Sequence, residues 1–227
     1  MATLASEAGS RPSRTMGHVA LHYARKEEGA LAAKLMALLG YVETQALPLP
    51  NGSTFYRFVV DSHHRPRGDG IVYLSLVPPA QAELVQAARE ALGVGTDRQH
   101  PTVDALRAAI EADPEYTFHL GLLVDSLEEI ERIALELRDR NANDPDFKGR
   151  LKVTMNRPRP GDAEVDARLD ASPAFGTVDR YAYGRNGVQL FVETDILTSG
   201  PLGDSMILEL DYIFPGNTSH ILSVVEL

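Results

Sequence analysis

The sequence predicts an α+β fold built from two βαβββ units that form a curved mixed-sheet groove. Residues 18–40 align with residues 119–141 without a gap, at an offset of 119 − 18 = 101, and five of the 23 positions are identical. Each segment reads as a short β-strand, a charged turn and an amphipathic helix. Residues 65–77 and 200–212 also resemble each other, because both carry Pro-x-Gly-Asp before an apolar strand with Leu-x-Leu. A repeated unit accounts for both similarities.

In the first unit, apolar and β-branched runs predict the remaining strands. They lie at Tyr41–Leu47, Thr54–Asp61 and Gly70–Val77, and the segment LPNGS provides a turn. In the second unit, strands are predicted near Thr117–Asp125, Val188–Thr194 and Ser205–Phe214.

One strand of the second unit is ambiguous. Arg150–Met155 and Val178–Tyr183 both qualify, and the segment YAYGRNGVQLFVE reads as a hairpin through Gly184–Gly187.

We therefore expect a single domain over residues 16–227. Its two units cover about 16–79 and 116–215, and a helical insert at 80–115 joins them. A second insert, residues 156–177, is rich in Pro and Asp, and either insert is a lid or a decoration. Residues 1–15 read as a disordered leader.

Composition excludes several classes of function. The chain has 227 residues and no cysteine, so any metal must be held by His, Asp or Glu. A formal net charge of −10 argues against a nucleic-acid partner, since such proteins usually present a basic face. No apolar run approaches the ~20 residues needed to span a bilayer. These features predict a cytoplasmic protein that acts on a small molecule and has no membrane partner.

Side-chain alternation places polar groups on rows that do not face the helices. His18, Ala20 and His22 share one such row, and His119 begins the equivalent row in the second unit. On the last strand, Glu209 lies between apolar neighbours. A carboxylate there is costly to bury unless it is paired or bound to a metal. His18, His119 and Glu209 are therefore candidate ligands of one ion.

Paired βαβββ units with a His opening each unit and a Glu on the final strand resemble the vicinal oxygen chelate superfamily, which includes glyoxalase I, bleomycin-resistance proteins and type I extradiol dioxygenases. The resemblance covers about residues 18–214 and implies a metal held by His18, His119 and Glu209. A fourth ligand would come from the last strand of the first unit. The Leu-x-Leu pattern puts Ser75, or Leu74, at that position, and neither is a good ligand.

The resemblance and the missing fourth ligand favour an oxygenase of the extradiol type. Its cofactor would be Fe(II), with Mn, Zn, Ni or Co as alternatives, and O₂ and a catechol-like molecule would be its substrates. His22 is the candidate base and Tyr183 a candidate hydrogen-bond donor to the reacting oxygen. The alternative is a metal-dependent isomerase, epimerase or lyase, which a further carboxylate such as Asp211 would favour. A non-catalytic binding protein of the same fold is a third reading. The resemblance also implies a homodimer, which sedimentation at micromolar concentration tests.

Overall fold

The computed structural model describes residues 15–200 and 202–217, so the predicted leader lies outside the described residues except for Thr15. The first unit contains β1 (His18–Tyr23), α1 (Gly29–Leu38), β2 (Val42–Pro48), β3 (Thr54–Val59) and β4 (Ile71–Leu76). The insert contains α2 (Pro79–Ala91), α3 (Pro101–Ala112) and a 3₁₀ turn, Pro114–Tyr116. The second unit contains β5 (His119–Leu123), α4 (Leu127–Asn143), β6 (Leu151–Asn156), α5 (Ala163–Asp170), β7 (Gly187–Thr194) and β8 (Met206–Ile213).

Each unit forms a four-stranded mixed sheet with the same topology. The strand orders are β1-β4-β3-β2 and β5-β8-β7-β6. In each sheet the first and last strands of the unit pair in parallel, and the other pairs are antiparallel. The predicted fold of two βαβββ units is thereby confirmed.

Local chemistry explains where the helices begin. The Ser126 side chain accepts a hydrogen bond from the Glu129 backbone N–H at 3.2 Å and so caps α4. At the start of α1, a Cβ on Gly29 would lie 3.2 Å from the Tyr23 ring. Glycine therefore lets α1 approach β1 closely, and Tyr23 is completely buried beneath it.

The ambiguous strand is Arg150–Met155, which corresponds to β6. The predicted hairpin through Gly184–Gly187 is wrong. Antiparallel partners β6 and β8 flank β7 on both sides, so no edge remains for residues 178–183. That segment instead runs past the end of β6, where Tyr181 forms a single parallel bridge with Arg157. The second insert also contains a helix, α5, which its Pro- and Asp-rich composition did not predict.

The two units share one hydrophobic core, which contains buried residues of both helices α1 and α4 and of both sheets. Backbone hydrogen bonds from Ala24 N–H to Ile196 and from Thr198 N–H to His22 join the end of β1 to the segment after β7. Among the described residues, no helix is long and apolar enough to cross a membrane.

The insert, residues 79–116, lies across one face of the second sheet, and we call it the strap. Its α3 end is held by Arg180, which donates to the Ala112 carbonyl at 2.8 Å, and by Tyr183, which donates to Asp113. Lys152 of β6 pairs with Glu111. The strap therefore covers the same face of the second sheet that carries His119 and Glu209.

An ion-pair cluster also spans the two units. Arg150 binds Asp195 through two nitrogens, at 2.8 and 3.0 Å, and Glu28 at 2.7 Å. Arg25 contacts the same two carboxylates at 2.9 and 3.0 Å.

Arg150→Ala should lower the free energy of unfolding by about 2 kcal/mol, because Arg150 is the less exposed cation and its loss weakens the pairing of the buried Glu28 carboxylate. Arg25→Ala is the matched control, and it should cost about 0.5 kcal/mol since Arg25 is half exposed. Urea denaturation of both variants measures the difference. Equal losses would contradict the assignment of Arg150 as the residue that holds the units together.

Candidate active site

Strand register places side chains from all four strands of the second sheet in two neighbouring rows on the face below the strap. Gly121 of β5 pairs with Glu209 of β8, and Glu209 pairs in turn with Phe191 of β7. One pleat further along, Asp211 pairs with Gln189, which pairs with Asn156 of β6. Alternation therefore predicts which residues of the second unit meet.

His119 and Glu209 are in direct contact. His119 Nε2 lies 3.0 Å from Glu209 Oε2, and Glu209 is only 5% exposed. His119 Nδ1 lies 2.9 Å from the Thr117 carbonyl oxygen. Because a carbonyl only accepts, Nδ1 donates the hydrogen of this bond, and Nε2 is the ring nitrogen that faces Glu209. The Phe191 ring meets the imidazole edge-on, with centroids 6.3 Å apart, and supports its orientation.

Two further carboxylates surround Glu209. Burial, the charges of Asp211 and Glu115 and a hydrogen bond with Asp211 raise the pKa of Glu209 to about 8, and only the hydrogen bond from Gln189 opposes this rise. The Glu209 carboxyl group therefore holds a proton to a higher pH than a free carboxyl group does.

The His119–Glu209 pair fits a divalent ion as two adjacent ligands. Bonds of 2.0–2.2 Å at a right angle place two ligand atoms about 3.0 Å apart. The observed separation of Nε2 and Oε2 is 3.0 Å. A ligating His also typically donates its other N–H to a carbonyl, as His119 does to Thr117.

The contact that His18 makes is with a different residue, Tyr73. His18 is exposed on β1, and its ring packs at a tilt against that of Tyr73 of β4, with the ring centroids 5.2 Å apart. Within residues 15–200 and 202–217, no group of three or more His, Asp or Glu side chains is placed to hold one ion. The structure thus brings together His119 and Glu209, and the three-ligand set with His18 stays a prediction.

The register also corrects the expected fourth position. His18 pairs with Ile71 and His119 pairs with Ile207, so the last strands are related by an offset of 207 − 71 = 136. Tyr73 therefore corresponds to Glu209, since 209 − 136 = 73, and the expectation of Ser75 or Leu74 is wrong. The Leu-x-Leu motif misleads because apolar residues recur at every second position of a half-buried strand. The His18–Tyr73 contact is thus the first unit's counterpart of the His119–Glu209 contact.

The two predicted catalytic residues have other partners. His22 Nδ1 lies 3.2 Å from Ser75 Oγ. Burial lowers the pKa of His22, and a hydrogen bond with the Ser75 backbone opposes that shift. Its side chain lines a cavity of about 280 Å³ between the units, together with Phe118 and Thr198. Tyr183 donates to Asp113 at the end of the strap. Catalytic roles for both residues stay predictions.

The sequence reasoning missed Gln189 and Glu115. Gln189 is completely buried, and its Nε2 donates to Glu209 Oε1 at 2.8 Å and to Glu115 Oε1 at 2.7 Å. The sequence did contain a signal for Gln189. Side chains alternate along β7, so Gln189 lies on the same face as Phe191, and the apolar residues that enter the core lie on the other face. The position of Glu115 depends on how the strap folds, and no local pattern indicated it.

The raised pKa of Glu209 predicts a pH dependence of stability in protein stripped of metal with EDTA. The proton is bound more tightly in the folded chain than in the unfolded chain, whose ordinary pKa is 4.5. The stabilisation is therefore complete below pH 4.5 and is lost as pH rises to about 8. Relative to Glu209→Gln, wild-type unfolding free energy should fall by roughly 1 kcal/mol per pH unit in this window. Parallel pH profiles of the two proteins would contradict the protonated carboxyl.

The chain matches no family model and none of the curated proteins. It is similar to several solved structures at low sequence identity. A protein from Bacillus cereus described as a possible glyoxalase is 12% identical, with 87% of this chain and 98% of that chain covered and a TM-score of 0.36. A glyoxalase/bleomycin resistance protein/dioxygenase from Nocardioides is 17% identical, with 94% and 91% covered and a TM-score of 0.35.

A fusion of a xylose isomerase-like TIM barrel with 4-hydroxyphenylpyruvate dioxygenase is 13% identical. The match covers 91% of this chain and 27% of that chain, with a TM-score of 0.21. These overlays are loose, and the strand orders of the two sheets are the stronger indication of the fold. The paired βαβββ fold of this chain is established by its own strand orders.

Proposed function

We propose that this chain is a divalent-metal-dependent isomerase, epimerase or lyase that moves a proton on a small substrate with neighbouring oxygen atoms. The observation that carries this proposal is the contact between His119 Nε2 and Glu209 Oε2 at 3.0 Å, in a cluster that also contains Asp211 and Glu115. Buried acids with strongly shifted pKa values are typical of sites that transfer protons near neutral pH.

His119 and Glu209 would hold the ion. When bound, a divalent ion polarises substrate oxygens and makes an adjacent C–H more acidic. An imidazole and a carboxylate are donors that Mn, Fe(II), Zn, Ni and Co all accept. The described residues bring two of these ligands together, and the oxygenase function would require His18 as a third, so the contact supports the proton-transfer function better.

The chain's own side chains supply the acid–base chemistry. Asp211 is only partly buried and faces the same exposed strand residue, Gly121, as Glu209 does. A Cβ at Gly121 would lie 3.5 Å from Glu209 Oε2 and 3.7 Å from Asp211 Oδ2. A substrate that approaches over Gly121 would reach both carboxyl groups, and Asp211 would accept its proton. Glu209 is covered, so bulk water is kept from the other side.

A cavity of about 450 Å³ on the same face of the second sheet has the size for a small substrate, and His119, Glu209 and Asp211 are not among the residues that line it. It lies between α3 and the second sheet, and Ile207, the strand partner of His119, lines it. Leu106 and Ile110 of α3 provide apolar walls, and Arg107 and Lys152 lie at the same cavity. This lining favours a compact molecule with both apolar and oxygen-bearing parts.

The second candidate function is an extradiol-type oxygenase with Fe(II) and O₂. It is favoured by one observation, the equivalent register of His18 and His119 at the start of their strands. This function requires His18 to join the pair as a third ligand. Oxygen consumption with a panel of catechols separates it from the first candidate.

Loading with Mn²⁺ should produce proton exchange or isomerisation on a panel of α-hydroxycarbonyl compounds, and the activity should survive strict anaerobiosis. Loss of either ligand, in His119→Ala or Glu209→Gln, should reduce it by at least ~100-fold. The control His18→Ala removes the corresponding imidazole of the first unit and should retain the activity. Exchange is followed by NMR in D₂O. Oxygen-dependent turnover that His18→Ala abolishes would instead establish the oxygenase.

Gly121→Leu should raise KM by at least tenfold and preserve the fold, because the side chain would occupy the open approach to Glu209 and Asp211. Gly121 has no positive φ, so a side chain introduces no backbone strain. The matched control is Ala20→Leu, since Ala20 pairs with Tyr73 as Gly121 pairs with Glu209. Steady-state kinetics and thermal melting of both variants measure the effect. An unchanged KM in Gly121→Leu would show that substrate does not approach over β5.

A further inference from the structure

A continuous series of hydrogen bonds through Arg180, Asn156 and Gln189, which we call the relay, connects the strap to Glu209 through buried amides. Arg180 Nε donates to Asn156 Oδ1 at 3.3 Å, and Asn156 Nδ2 donates to Gln189 Oε1 at 3.2 Å. Gln189 Nε2 then donates to Glu209 Oε1 at 2.8 Å. Asn156 and Gln189 are 5% and 0% exposed, so water cannot replace these partners without local opening.

The Arg180 guanidinium sets the orientation of both amides in the relay. Arginine has donors only, so the oxygen of the Asn156 amide must face Arg180 and its nitrogen must face Gln189. The same logic turns the Gln189 amide nitrogen toward Glu209. Glu209 Oε1 is thereby occupied, and Oε2 is the atom left to face His119 Nε2. A reversed amide would instead point an oxygen at a carboxylate.

The strap contacts the relay at both of its ends. Arg180 also donates from its NH2 group to the Ala112 carbonyl of α3, at 2.8 Å. Glu115, three residues further along the strap, accepts from the same Gln189 Nε2 that binds Glu209, at 2.7 Å. The seated strap therefore holds the guanidinium that orients the amides and also places a second carboxylate on the last amide.

We propose that Arg180, Asn156 and Gln189 are positioning residues that orient the Glu209 carboxyl group toward His119 only while the strap is seated. The metal-binding part of this inference rests on the proposed function, and the coupling between the relay and the strap does not. The strap would then act as more than a cover, because its seating determines which oxygen of Glu209 is presented to the ion.

Asn156→Asp is the sharpest test of the relay. It keeps the shape and the acceptor for Arg180 but removes the Nδ2 donor, so the Gln189 amide should reverse and oppose two carboxylates with its oxygen. We expect the Mn²⁺ affinity, measured by electron paramagnetic resonance, to fall by about 10–100-fold. Asn143→Asp is the matched control, because Asn143 lies on the exposed side of α4 and donates to Asp139. It should bind Mn²⁺ as wild type does.

Two Arg180 variants test whether the cation at this position sets the orientation of the amides. Arg180→Lys keeps a donor-only cation and should retain Mn²⁺ affinity within about threefold, whereas Arg180→Met should lose it as Asn156→Asp does. Circular dichroism and melting temperature identify any variant that fails to fold, and Arg180 is only half buried, so both variants should fold. Equal affinities for Arg180→Met and wild type would overturn the relay.

Hydrogen exchange of the strap provides a readout without metal. In EDTA, Asn156→Asp should accelerate amide exchange in residues 101–116 by at least tenfold, because the reversed Gln189 amide repels Glu115, and Asn143→Asp should not. If wild-type protein fails to bind Mn²⁺, the proposed function fails and this exchange experiment alone decides the relay. Unchanged exchange in Asn156→Asp would overturn the coupling between relay and strap.

Discussion

The cost of burying the Glu209 carboxyl group is the constraint on which the rest of the site depends. A carboxylate removed from water needs a partner for each oxygen or must take up a proton. Here His119 faces one oxygen, Gln189 faces the other, and the pKa is raised far enough for a proton to be held near neutral pH. Each partner then requires its own support, which Thr117 and Asn156 provide.

The two units share one backbone arrangement and differ in the side chains at an equivalent position. In both, the first strand pairs in parallel with the last, and a His on the first strand contacts the residue two positions after the paired isoleucine. In the first unit that residue is Tyr73, whose ring packs at a tilt against that of His18. In the second unit it is Glu209. Of these two equivalent positions, only the one in the second unit carries a carboxyl group, and the strap covers that sheet.

Rigidity of the site comes from the joint between the units. A shared hydrophobic core prevents the sheets from moving independently, and Arg150 binds a carboxylate of each unit. The strap leaves the first unit after β4 and ends at β5 of the second, so it can lie on the second sheet only if the two sheets keep a fixed relation. Packing far from Glu209 therefore helps to maintain the contacts around it.

By itself, the sequence determined the two βαβββ units, most of their strands and helices apart from α5 and the choice of β6, and the placing of His119 and Glu209 on one face of the second sheet. These follow from alternation and helical periodicity, which are local properties of the chain. Only the tertiary structure decided that Tyr73 corresponds to Glu209, that His18 packs on Tyr73, and that Gln189 and Glu115 complete the site. Strand register and the course of the strap depend on contacts between residues distant in sequence. A motif such as Leu-x-Leu fits more than one register equally well, so only the packed fold selects among them.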